Sequence, residues 1–159
     1  MAGIVRMMTG LPASGKTTLA TKLVTESRGR LVRVNLDDFR TMLYPGAQSA
    51  GNWRDIHENL ASELQNRSIL AILAAGLDVV VDNTHLTPRG PQRVRHLLAG
   101  HPVRYIIHDL TDVPFEECVR RDTERGAKVG RARMAEMNTS HENARNNEWQ
   151  LTARWMSRR

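Results

Sequence analysis

Four short apolar runs recur along the chain: "GIVRMM" at 3–8, "LVRVN" at 31–35, "LDVVVD" at 77–82 and "VRYIIHDL" at 103–110. Each is nearly continuous and rich in β-branched residues, the pattern of strands buried on both faces in a parallel sheet. The stretches between them are long enough for crossover helices, predicted at Lys16 to about Ser27, Asp55 to Ala75 and Pro88 to Ala99. Gly29, Gly76 and Gly100 fall just after these helices, where a C-terminal cap favours a left-handed residue. From Phe115 onward the pattern is helical, with an interruption at "RGAKVGR", and "YPGAQSAGNW" at 44–53 is the most loop-like stretch. The fold expected is a single α/β domain over 1–159, with helices on both faces of the sheet. No internal repeat, low-complexity tract or interdomain linker is visible.

Composition narrows this only a little. A chain of 159 residues suits one compact domain. The net charge of +6 is carried mostly by arginine, whose planar fork matches phosphate oxygens and is compatible with a nucleotide or nucleic-acid partner. Cys118 is the lone cysteine, so no internal disulfide can form and a reducing, cytoplasmic setting is expected. No apolar run approaches the length of a membrane span or of a signal-peptide core.

The chemistry begins at "GLPASGKT", Gly10 to Thr17, which fits G-x-x-x-x-G-K-[ST] between the first strand and the first helix. Its glycines allow backbone N–H groups to curl around phosphate oxygens, and the helix N-terminus adds its positive dipole end. Lys16 is expected to reach the β- and γ-phosphates, and Thr17 to ligate Mg²⁺. The chain lacks an N-K-x-D guanine signature and a D-x-x-G switch after the first helix, so a phosphotransferase is the leading class.

The second strand runs into "NLDDFR", which puts Asp37 and Asp38 at a carboxyl end, where open parallel sheets bind ligands. A carboxylate there can orient an acceptor hydroxyl and take its proton. Arg40 shares a face with Asp37 if a helix begins here, and would suit an acceptor already carrying a phosphate. Helix capping is the competing use of either aspartate. The third strand ends in "DNTHLTP": Asp82 is a candidate for a Mg²⁺-bound water or for the acceptor, with Asn83 and Thr84 as polar neighbours. His85 reads as a loop histidine. Arg120, Arg121, Arg125 and Arg131 fall in one helix-loop stretch bracketed by Gly126 and Gly130, a candidate lid over about 120–134. An exposed Glu117–Arg121 pair is the alternative role for Arg121. Of Trp53, Trp149 and Trp155, only Trp53 is a modest base-stacking candidate.

Together "GLPASGKTT", "NLDDFR", "DNTHLTP" and "RRDTERGAK" resemble the kinase module of the phage-type polynucleotide 5′-kinases over almost the whole chain. The resemblance implies an adenylate-kinase-like P-loop fold with four parallel strands ordered 2-3-1-4. It also implies transfer of the γ-phosphate of ATP or GTP, with Mg²⁺, to a 5′-hydroxyl end of DNA or RNA. By the same similarity, Gly10, Ala13, Ser14, Gly15, Lys16, Thr17 and Thr18 bind the nucleotide together with lid residues Arg121 and Arg125. Asp37 is then the general base and Arg40 the clamp on the acceptor's 3′-side phosphate. The family's strand-end aspartate falls on Asn83 in some alignments and on Asp82 in others. The D-x-D-x-T motif of the 3′-phosphatase domain in many members is absent, so the chain reads as either a stand-alone kinase or an excised domain; a 3′-phosphatase or ligase partner and a homo-oligomer are allowed. If the chain is phage-encoded, its compartment is the host cytoplasm. Two alternatives stand beside this reading: a small-molecule or toxin-type kinase acting on a sugar or nucleotide-sugar hydroxyl, and a triphosphate-dependent nucleic-acid-binding module without transfer chemistry.

Overall fold

The computed structural model describes residues 2–44 and 54–145. Trp53, Trp149, Trp155, the closing "RWMSRR" and most of the 44–53 loop lie outside the described residues. The strands are β1 (Gly3–Thr9), β2 (Leu31–Val34), β3 (Asp78–Val81) and β4 (Val103–Asp109). The helices are α1 (Lys16–Glu26), α2 (Leu36–Leu43), α3 (Asp55–Ala74), α4 (Arg89–Leu97), α5 (Phe115–Glu124) and α6 (Arg131–Ala144). All strand pairs are parallel and the order is β2-β3-β1-β4, as the resemblance implied.

Alternation along the buried strands sorts the core into two layers. Val5, Met7, Val79 and Val81 pack with Ile69 of α3 and with Val94 and Leu98 at α4. Met8 and Val80 face the other way, onto Ala20 of α1. In α3, the buried residues Ala61, Gln65 and Ile69 recur every four positions, so one stripe seats the helix on the sheet. A third cluster joins Leu11 and Leu86, in the loops after β1 and β3, to Cys118 of α5 and Met134 of α6. That cluster seats the arginine-bearing helices over the carboxyl ends of the strands. The predicted caps hold as well: Gly29, Gly76 and Gly100 have φ of 84, 77 and 84°.

The sequence left α2 conditional, and its cause is Asn35. That side chain accepts from the N–H groups of Asp37 (2.7 Å) and Asp38 (3.3 Å), so the helix cap comes from asparagine and both aspartates keep their carboxylates for other work.

Candidate active site

The loop after β1 is built for an anion. Gly10 takes φ 147° and donates its N–H to the Thr84 carbonyl (3.0 Å); a Cβ there would come within 2.7 Å of Ser14 Oγ and 3.0 Å of the Leu110 carbonyl. Ala13 (φ 61°) and Gly15 (φ 101°) complete the curl into α1. Ser14 is buried, whereas Thr17 and Thr18 are exposed at the helix start. Lys16 is folded back over its own loop: Nζ donates to the Leu11 carbonyl at 2.5 Å and approaches Ser14 Oγ at 3.4 Å. Burial lowers its pKa to about 8, a fall opposed by the charge of Asp82 and, more weakly, of Asp37, and assisted by Arg125. Residues just after β3, on α2 and at the C-terminal end of α5 thus all act on the lysine ammonium.

Two asparagines bind the α2 start to the end of β3. Asn35 donates from its amide to the Asp82 carbonyl, and the Leu36 N–H donates to Asn83 Oδ1 at 3.0 Å. Asn83 also trades amide hydrogen bonds with Gln65 of α3, at 3.2 and 3.3 Å, which occupies its side chain in structural work. Asp82 differs. Its side chain is fully buried, Oδ2 accepts from Arg33 Nε at 2.7 Å, and Oδ1 has no partner. A buried carboxylate oxygen left unpaired is costly without a ligand. An unpaired carboxylate oxygen of this kind is chemically suited to the water shell of a hard divalent cation.

On α2, Arg40 NH1 donates to Asp37 Oδ1 at 2.6 Å, and Arg40 also grips Glu58 of α3 through Nε (2.9 Å) and NH2. Asp37 is largely exposed and Arg40 about a quarter so. A guanidinium has five N–H donors. Among the described residues, Glu58 engages two of these and Asp37 one, and the donors beyond them are of the kind that match phosphate oxygens.

On the lid side, Asp122 is the organiser that the sequence did not reveal. It is 2% exposed. Its Oδ1 accepts from Arg125 Nε (2.9 Å) and NH2 (2.7 Å), and Oδ2 from the N–H groups of Val129 (3.1 Å) and Gly130 (2.8 Å). Burial raises its pKa, but the Gly130 N–H, Arg125 and the Val129 N–H outweigh that and hold it below the ordinary aspartate value. Arg121 takes the alternative the spacing allowed, donating from Nε to Glu117 Oε1 at 2.7 Å. His85 is a buried loop residue (φ 43°) whose Nδ1 meets the Met8 carbonyl at 2.9 Å. Burial lowers its pKa to about 4, against the Met8 bond. Arg33, Glu58, Gln65 and Asp122 were missed because each earns its place by a contact between elements; only the i, i+3 spacing of Asp122 and Arg125 was legible beforehand.

Fold and site together define a P-loop protein of the kinase type. The chain belongs to the AAA domain family AAA_33, whose profile matches residues 5–144. Among solved structures it is similar to a chain in the Pnkp1/Rnl/Hen1 RNA repair complex, with TM-score 0.73 and 23% identity over 91% of this chain and 46% of that one. A second structure of a Pnkp1/Rnl/Hen1 complex matches with TM-score 0.65 and 27% identity over 76% of this chain and 39% of the other. A candidate kinase from Chloroflexus aurantiacus j-10-fl matches with TM-score 0.65 and 22% identity, covering 87% and 76% of the two chains. This chain spans less than half the length of the repair-complex chains it matches. Among the described residues no helix is long and apolar enough to cross a membrane.

Proposed function

We propose that the protein is a polynucleotide 5′-kinase that moves the γ-phosphate of ATP or GTP onto the 5′-hydroxyl end of DNA or RNA during end healing. The observation that carries this is the pairing of Asp37 and Arg40 on α2, with the helix start stitched to β3 beside Lys16. In this reading the P-loop N–H groups and Lys16 hold the β- and γ-phosphates, with Thr18 flanking them. Thr17, and Asp82 through water, would hold Mg²⁺, which would supply charge neutralisation for the transferring phosphoryl group. Asp37 orients the 5′-hydroxyl and takes its proton as the oxygen bonds to the γ-phosphorus and the bond to the β-phosphate oxygen breaks, releasing the nucleoside diphosphate. Arg125, with Arg121 beside it, offsets the charge that spreads over the equatorial oxygens. Arg40 uses its remaining fork on the acceptor's 3′-side phosphate, near Asn83 and Thr84. The likeness to a chain of an RNA repair complex supports a place in end repair, beside a ligase or 3′-phosphatase partner in this reading.

The test offers γ-labelled ATP and GTP against matched DNA and RNA oligonucleotides with 5′-hydroxyl or 5′-phosphate ends. Label should appear on hydroxyl ends alone and require Asp37. Arg40→Ala should raise the acceptor KM by at least about tenfold, the loss of one charge-assisted phosphate contact. Unchanged oligonucleotide kinetics in Arg40→Ala would remove the clamp. Label on a free sugar, undisturbed by excess DNA, would instead make the protein a small-molecule kinase.

A further inference from the structure

We propose that Arg33 is a positioning residue of this site: by gripping Asp82 and Asp38 at once, it fixes the β3 carboxylate against the start of α2 and leaves the second Asp82 oxygen uncommitted beside Lys16. The inference rests on the kinase reading above. Arg33 sits on β2, in register with fully buried Val80, where an apolar side chain would be the ordinary choice. Its guanidinium crosses to the end of β3, donating from Nε to Asp82 Oδ2 at 2.7 Å and from NH1 to Asp38 Oδ2 at 2.6 Å. The three side chains form a gradient from core to solvent: Asp82 is 0% exposed, Arg33 23% and Asp38 63%.

A buried carboxylate anchored by neither oxygen can turn about its terminal torsion, since that torsion is broad and two-fold. Arg33 removes that freedom for Asp82. Through Asp38, the neighbour of Asp37, the same guanidinium ties donor-side and acceptor-side carboxylates into one frame. Displacements of about 1 Å in such frames cost on the order of a hundredfold in rate. Lysine cannot replace the bridge, because one nitrogen on a flexible stem lacks the fork that spans two carboxylates.

The test uses Arg33→Ala, Arg33→Lys and Asp38→Ala. Two quantities are read: the gain in affinity for a fluorescent ATP analogue on adding Mg²⁺, and kcat and KM toward a 5′-hydroxyl oligonucleotide. Arg33→Ala should lower kcat at least about tenfold and the magnesium gain about fivefold, with acceptor KM held within about twofold. Arg33→Lys should recover only part of each loss. Asp38→Ala, an exposed change that does not threaten folding, should cost kcat roughly two- to fivefold. In an Asp82→Asn background, adding Arg33→Ala should change kcat by less than about twofold, because the residue it acts through has already been altered. A merely structural arginine would give additive losses and an unmoved magnesium gain. Additive losses, or Arg33→Lys and Asp38→Ala both matching wild type in kcat and magnesium gain, would overturn the proposal. If wild-type protein phosphorylates no hydroxyl end, the polynucleotide reading fails, while the magnesium gain still decides the role of Arg33 by itself.

Discussion

Replacing Lys16 with methionine should make the nucleotide-free protein more stable at neutral pH while it abolishes phosphate transfer. Lys16 is 8% exposed and its pKa is lowered to about 8 from 10.5, chiefly by burial. The folded state therefore binds its proton less tightly than the unfolded chain does. Between pH 8 and 10.5 the unfolded state carries more protons, so stability rises with pH across that window. At pH 7 the lysine is charged in both states and costs the fold about 3 kcal/mol; at pH 9.5 about half of that remains. Methionine has a similar length, fills the same space and carries no charge. That cost already includes the Lys16–Asp82 attraction; loss of the Nζ bond to the Leu11 carbonyl offsets part of the gain, so about 1–3 kcal/mol should remain at pH 7, or roughly 3–10 °C in Tm. The assay is paired thermal and urea melts of wild type and Lys16→Met at pH 7 and 9.5 without nucleotide. Groups common to both proteins cancel in the difference, which should narrow by about 1–2 kcal/mol at the higher pH. A variant less stable than wild type at pH 7, or a gap that ignores pH, would refute the claim that Lys16 is held at a cost.

Three further outcomes follow from groups outside the lysine. His85, with its pKa lowered to about 4, stays neutral in the fold, so stability should fall as pH drops from about 6.5 toward 4. His85→Asn, which tolerates the left-handed φ of 43°, should flatten that acid limb in urea melts by up to about 3 kcal/mol. Asp122→Ala strips the acceptor from the Val129 and Gly130 amides and from Arg125, and should cost about 2–4 kcal/mol. Faster hydrogen exchange at residues 126–134 would check it, and unchanged exchange would deny Asp122 its organising role. Gly10→Ala forces a Cβ to 2.7 Å from Ser14 Oγ at φ 147°, so ATP affinity measured by calorimetry should fall at least about tenfold.

The fold was readable because its signals are local. Buried parallel strands appear as unbroken apolar runs, and the glycines at 29, 76 and 100 mark helix ends by the backbone angles they take. The phosphate loop was legible for the same reason, since its glycines and Lys16 are contiguous. The α2 start was harder: either aspartate could have served as its cap, and the structure gives that work to Asn35. Arg33 to Asp82 spans 49 positions and Arg40 to Glu58 spans 18, separations at which sequence spacing says nothing about contact. Asp82 and Asn83 are adjacent and similar on paper. They separate only when Gln65 is seen to occupy one and a buried, unpaired oxygen is found on the other.

Three arginine–carboxylate groups ring the phosphate loop: Asp37–Arg40–Glu58, Asp82–Arg33–Asp38 and Asp122–Arg125. Exposed pairs such as Asp37–Arg40 contribute little to stability, and a buried carboxylate's pairing largely offsets its desolvation, so net stabilisation is a weak explanation for all three. Their geometry is a better one. Asp82 and Asp122 are buried, and each is held by an arginine that reaches toward solvent with exposures of 23 and 42%. Every guanidinium is thereby fixed in direction while keeping donors to spare, since no carboxylate engages all five N–H groups. Side chains already ordered by internal counterions lose less entropy when a phosphate arrives, and the field they present is aimed before the ligand binds. The three arginines are matched by five carboxylates, so cations suited to a polyphosphate are held without mutual repulsion across the site. Lys16 is the exception: among the described residues its hydrogen bonds go to a backbone carbonyl and a hydroxyl, and burial lowers its pKa to about 8 despite the charge of Asp82.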